Sequence, residues 1–151
     1  MSVSIEIDLK NLAVGKMGPM TGGIWMSLDG IDFPEQNWID FPVVLMSWWG
    51  AALRRILTGQ SCDEDIDFME GSFSVSVVRL PDSAELHFSA INESFERNIV
   101  AACQESVVAF RDSFVDSARR LLIRCNEMQY SSKDLSDLRM VLSEIEGFQR
   151  Q

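Results

Sequence analysis

Residues 28–59 have the sequence LDGIDFPEQNWIDFPVVLMSWWGAALRRILTG, which contains three of the four tryptophans and the longest apolar run of the chain. Apolar side chains recur there at three- and four-residue spacing, and this spacing predicts an amphipathic helix at about 41–58. Asp40 is a favourable N-cap for this helix, and Gly59 is a favourable stop. Because the apolar face is rich in aromatic residues, we expect the helix to lie at the centre of the core.

Alternating apolar and polar residues predict strands on both sides of this helix. Asp29-Gly30 lies between two short apolar runs and predicts a hairpin with a two-residue turn. The predicted strands cover residues 3–9, 24–28, 31–33, 72–80 and 84–90. Two connections are predicted to be loops, the glycine-rich residues 13–23 and the acidic residues 60–70.

The C-terminal part of the chain contains one ambiguous segment. Residues 93–105 fit both a helical and a strand pattern. A strand at about 97–103 is preferred, because Ser106 can then cap the long amphipathic helix that follows. Ser131 and Asp134 resemble a capping box, with Asp in place of the usual Glu, and predict the start of a last helix.

These patterns together predict a single α+β domain over residues 1–151. We expect an antiparallel sheet of four to six strands with about three helices packed on one face. Three widely spaced cysteines predict neither a disulfide framework nor a zinc site. The N-terminus lacks the basic and apolar regions of a signal peptide, and no apolar run reaches the roughly 20 residues that span a bilayer. The sequence therefore predicts a cytoplasmic protein that does not bind membranes.

The charge of the chain restricts its partners. There are 23 acidic and 13 basic residues, so the formal net charge is −10. Binding to a phosphate backbone is opposed at long range, which argues against nucleic acid as a partner. Between Met17 and Val78, nine acidic residues accompany only Arg54 and Arg55. Most of the excess negative charge is therefore expected in one part of the molecule.

Two groups of residues are candidates for a chemical site. His87, the only histidine, is expected on the same strand face as Glu85, but such neighbours are common on solvated sheets and do not establish acid–base catalysis. Asp63, Asp65 and Asp67 have the spacing of the first ligands of a calcium loop. The later positions that need Gly and Glu hold Phe and Ser, so an EF-hand is rejected. No enzyme activity, cofactor or metal is predicted.

Trp48 and Trp49 are adjacent in the predicted helix, and their side chains should point about 100° apart. Packing of these rings in the core is the favoured interpretation. One of the two can nevertheless lie at the rim of the apolar face, beside the acidic segment, where a tryptophan often contributes strongly to partner binding.

One run of residues resembles a known group of proteins. It comprises Asp29-Gly30, Phe33-Pro34, Trp38, Asp40-Phe41-Pro42 and Trp48-Trp49, followed by the acidic segment and Gly71. The run is similar to small bacterial cytosolic proteins, some of which resemble immunity proteins of contact-dependent or polymorphic toxin systems. The resemblance covers about residues 24–80. It implies inhibition of a cognate toxin by direct binding, and it supplies no catalytic motif.

The charge pattern is compatible with such a function, because an acidic patch speeds association with a basic partner. A basic toxin domain is the partner that this hypothesis implies. The expected contact residues are Asp63, Glu64, Asp65, Asp67 and Glu70. The same acids can serve solubility alone. The alternative function is a structural or assembly protein that self-associates, for instance as a homodimer, through apolar helix faces or a sheet edge.

Overall fold

The computed structural model describes residues 2–16 and 18–148. It confirms the α+β class, with antiparallel strands and three helices, and it divides the strands between two sheets. The five-stranded sheet contains β1 (Val3–Ile7), β2 (Ala13–Val14), β3 (Met20–Leu28), β4 (Ile31–Phe33) and β5 (Ile39–Asp40). The four-stranded sheet contains, in spatial order, β6 (Asp63–Asp67), β7 (Phe73–Arg79), β8 (Glu85–Asn92) and β9 (Asn98–Ser106). The helices are α1 (Pro42–Leu57), α2 (Val107–Glu127) and α3 (Lys133–Glu146).

Strand β3 is the centre of the five-stranded sheet, since it pairs with each of the other four strands. The predicted hairpin from β3 to β4 is confirmed, with Leu28 paired to Ile31. Asp29 and Gly30 have φ values of 51° and 85°. Both turn residues thus adopt the left-handed conformation that a tight type I′ turn requires.

The prediction that residues 13–23 form a loop is wrong. β2 lies within this segment, and β3 already begins at Met20. Gly22 is buried in β3, where an added Cβ would lie 2.6 Å from the Cδ2 atom of Leu12. Glycine at this position therefore leaves room for the Leu12 side chain, which approaches β3 closely.

Helix α1 confirms the predicted helix, but its N-terminus differs from the prediction. Phe41 occupies the N-cap position, so the expected N-cap role of Asp40 is wrong. The Asp40 side chain is buried, and the donors of its hydrogen bonds lie outside the first turn of α1. Further along α1, a Cβ added at Gly50 would lie within 2.8 Å of side-chain atoms of Phe114 and Val141. A small residue at this position allows α1 to pack directly against both α2 and α3.

A chain of aromatic rings connects α1 with strands of both sheets. The rings meet edge to face, with centroid separations between 5.1 and 6.0 Å. In order of contact, the rings are Trp49, Phe68, Phe33, Phe73 and Trp38. This geometry is favourable for aromatic pairs. The two sheets therefore share one core, as the buried hydrophobic residues also indicate.

For the four-stranded sheet and the two helices that follow it, most of the sequence predictions are confirmed. Residues 60–70 are not only a loop, because Asp63–Asp67 forms the edge strand β6. The β7–β8 hairpin and the strand interpretation of the ambiguous segment, now β9, are confirmed. The Ser106 hydroxyl accepts from the Ala109 amide at 3.0 Å and caps α2, as predicted. Helix α3 is capped by Ser132, one residue later than the predicted Ser131.

Candidate functional site

The four-stranded sheet has one covered face and one open face. Side chains that alternate along its strands, among them Ile66, Val75 and Phe88, are buried in the common core. The intervening positions form the opposite face, which we call the open face. It carries the acidic residues Asp63, Asp65, Asp67 and Glu85. The outward positions of β6 to β9, all within the described part of the chain, include no Lys or Arg.

Three of these acids form a row along the edge strand β6. Asp63, Asp65 and Asp67 are exposed and alternate along the strand, so the Cα atoms of neighbouring acids are about 7 Å apart. Across the sheet, Asp65 and Asp67 pair with Ser76 and Ser74, which supply no compensating charge. Burial and the negative charge of Asp65 raise the pKa of Asp67. The row is therefore a concentrated, uncompensated negative charge, which attracts cationic groups.

Glu64 does not belong to this row, although the sequence placed it in the same contact group. Its side chain lies on the other side of β6 and accepts two hydrogen bonds from Arg55, the shorter at 2.7 Å. The Arg55 guanidinium holds the pKa of Glu64 below its ordinary value, against the opposing effect of burial. The Trp49 indole donates to the Asp67 carbonyl at 2.8 Å. Together these two contacts fix β6 against α1.

Glu70 also lies apart from the row. Its amide donates to the buried carboxylate of Asp40 at 3.0 Å. Its side chain lines a separate groove together with Trp38 and Ile39. Of the five predicted contact residues, the structure therefore brings Asp63, Asp65 and Asp67 together and places Glu64 and Glu70 elsewhere.

An aromatic groove adjoins the acidic row. Trp48 is 45% exposed and Met69 is 41% exposed, and both line a groove of about 560 Å³ together with Asp67 and Glu93. Trp49, by contrast, is buried. One tryptophan of the pair thus lies at the rim beside the acidic segment. Met69 was not among the predicted contact residues, because the sequence does not show whether a methionine in an acidic segment is exposed or buried in the core.

The remaining candidates are His87 and the buried cysteines. Within the described residues, no carboxylate forms an ion pair with His87, whose neighbours across the sheet are Val78 and Gln104. Burial raises the thiol pKa of Cys103 and of Cys125, which opposes thiolate chemistry. In residues 2–16 and 18–148, no cluster of three or more His, Cys, Asp or Glu residues is arranged to hold a metal ion.

The described helices include none that is long and apolar enough to cross a membrane. Comparisons with protein-family models, with curated proteins and with solved structures find no match to this chain.

Proposed function

We propose that this protein is a non-catalytic binding protein of immunity type, which neutralises a basic toxin domain by direct contact with the open face. The observation that carries the proposal is the juxtaposition of two features. Asp63, Asp65 and Asp67 form a row without neighbouring Lys or Arg on the face, and the exposed Trp48 and Met69 lie at the end of that row. Charge steers the encounter, and a partly exposed aromatic residue anchors the complex.

The attachment of β6 to the rest of the molecule supports the same proposal. Glu64 pairs with Arg55, and the Asp67 carbonyl accepts from Trp49, so the backbone that carries the acidic row is held on its inner side. A surface that is already ordered loses little conformational entropy when a partner binds. The acidic row can therefore present its charges at fixed spacing without refolding.

The direct experiment is to express the protein together with the product of the adjacent gene. We expect the two proteins to copurify, and we expect the protein to restore growth if that product is toxic. If the neighbouring product neither forms a complex with this protein nor loses its toxicity in its presence, the immunity proposal is wrong.

A pair of charge variants tests the surface. Replacing Asp63, Asp65 and Asp67 by Asn removes three negative charges from the open face, and we expect the association rate with the basic partner to fall about tenfold or more at low salt. The matched control replaces Glu6, Asp116 and Glu127, which are exposed acids on β1 and α2, by their amides. Equal effects of the two triple variants would show that total charge matters and that the open face does not.

Self-association is the second candidate, and a specific observation favours it. The β8–β9 hairpin exposes Phe95 fully, and the edge strand β9 exposes 58% of Ile99 and 42% of Val100. Such residues occur in interfaces between subunits. A mass measurement by light scattering at several protein concentrations distinguishes the two candidates. A monomer at all concentrations excludes the assembly function, whereas a stable dimer that is lost on Ile99→Lys supports it.

A further inference from the structure

A second cavity lies where the C-terminal ends of α1 and α3 meet the start of α2. Its volume is about 530 Å³, which is within the range of pockets that hold small ligands. Much of its wall is apolar, with Leu57, Val107, Val108 and Phe148 among the lining residues. The cavity and the aromatic groove share none of their described lining residues. It is therefore separate from the surface proposed to bind a protein partner.

Among the described lining residues of this cavity are two arginines, and one of them is already engaged. Arg111 donates from Nε to the Ile145 carbonyl and from Nη2 to the Glu146 carbonyl, both at 3.2 Å. Its Nη1 atom is 3.0 Å from the Asp112 carboxylate. Arg111 thus compensates the carbonyl groups at the C-terminus of α3, and its charge is balanced by a neighbouring acid. Its role in the cavity wall is structural.

Arg79 is different. Its Nε atom donates to the Ser83 carbonyl at 2.9 Å, which fixes the side chain in place. In residues 2–16 and 18–148, no ion pair or further hydrogen bond engages its Nη groups. Glu144, the one acidic residue among the described lining residues, pairs with Arg54 at 3.0 Å. Arg79 therefore brings an uncompensated positive charge to the cavity of a strongly acidic protein.

We propose that this cavity binds a small amphipathic carboxylate. A carboxylate matches the planar pair of Nη donors of Arg79 and can form two parallel hydrogen bonds with them. The start of α2 contributes a weak positive potential at the same place, since Val107 and Val108 belong to its first turn. The apolar walls accommodate an alkyl or aryl group, and the uncompensated guanidinium of Arg79 matches one negative charge.

Octanoate is a suitable probe, and octanamide, octylamine and inorganic phosphate are the comparisons. Isothermal titration should show saturable binding of octanoate at one site. We expect octanoate to bind at least about tenfold more tightly than octanamide, because a charge-assisted hydrogen bond is lost in the amide. Octylamine and phosphate, which lack the negative charge or the apolar group, should bind more weakly still. In methyl NMR spectra, octanoate should shift the signals of Leu57, Val107 and Val108.

Three variants test the assignment of the site. Arg79→Gln should weaken octanoate binding about tenfold and leave octanamide binding unchanged. Arg97→Gln is the matched control, since Arg97 lies on the β8–β9 turn, and it should not alter octanoate binding. Val108→Trp should fill the cavity from a partly exposed position and weaken both ligands. Thermal melts verify that each variant is folded.

Several results would overturn the proposal. These are the absence of saturable octanoate binding to the wild-type protein, equal affinity for octanoate and octanamide, phosphate binding as tight as octanoate binding, and unchanged octanoate affinity in Arg79→Gln. Because none of these measurements involves the open face, they do not depend on whether the immunity proposal is correct.

Discussion

Replacement of Asp40 by Ala is expected to destabilise the protein strongly. Asp40 is 1% exposed, and its Oδ2 atom accepts from the Trp38 indole and from the Glu70 amide, each at 3.0 Å. Its Oδ1 atom accepts from the Phe41 amide at 2.9 Å. One side chain thereby joins the start of α1 to the connection between β6 and β7. The substitution removes the acceptor for three donors at once.

The magnitude follows from the number and kind of these contacts. A hydrogen bond to a charged group contributes about 1.5–3 kcal/mol, and a buried donor left without a partner costs about 1–3 kcal/mol. The contributions of hydrogen bonds within one network do not add up fully. We therefore expect the free energy of unfolding to fall by about 3–5 kcal/mol. For a chain of this length, the corresponding decrease in Tm is about 10 °C. Asp40→Asn keeps one acceptor oxygen, so its free energy of unfolding should fall by less than that of Asp40→Ala.

Urea unfolding followed by tryptophan fluorescence measures the effect. Asp32→Ala is the matched control, because the Asp32 carboxylate also accepts from an indole, that of Trp25 at 3.3 Å, but at an exposed position. We expect this control to stay within about 0.5 kcal/mol of the wild type. A double-mutant cycle with Trp38→Phe should show coupling to Asp40 of about 1 kcal/mol. If Asp40→Ala is no less stable than Asp32→Ala, the proposed role of the buried carboxylate is refuted.

Two further predictions concern α1 and its contact with β6. Trp49→Ala should lower the free energy of unfolding by about 3–5 kcal/mol because Trp49 is buried, whereas Trp48→Ala should cost about 1 kcal/mol or less; equal losses in urea unfolding would contradict the assignment of the buried ring. The pKa of Glu64 is lowered in the folded protein by its hydrogen bond from Arg55, so this pair stabilises the fold above the ordinary pKa of 4.5 and loses its effect as the pH falls through the folded pKa. The difference in unfolding free energy between wild type and Glu64→Gln should therefore shrink in acid, and a difference that grows as the pH falls would contradict the prediction.

Local patterns were sufficient for much of the fold. The Asp29-Gly30 turn, the stripe of α1 and the Ser106 cap depend on residues within a few positions of one another, and all three are confirmed. Asp40 shows where local reasoning fails. A carboxylate just before a helix is a good N-cap by propensity, but one of its actual donors is the amide of Glu70, thirty positions away. Only the folded chain shows that competing contact.

The acidic site was predicted only in part, again because contacts between residues distant in sequence decide it. β6 was not recognised because Ile66 is the one apolar residue between Asp63 and Asp67, so the alternation of a half-buried strand was obscured by acids on both faces. The inward acid, Glu64, is tolerated because Arg55 of α1 reaches it. That compensation depends on how α1 packs against the sheet. Sequence spacing alone could not separate the outward acids from the inward one.

The two edges of the four-stranded sheet also have a consequence for solubility. An unpaired edge can recruit a strand from another molecule and begin aggregation. β6 is protected by its carboxylates, since a second acidic strand would be repelled. At the other edge, Ala90 and Ile91 of β8 pair with Ala101 and Ile99 of β9, so Val100 forms a bulge that interrupts the ladder between the two strands. We therefore expect removal of the acids of β6 to be accompanied by a greater tendency to form fibrils.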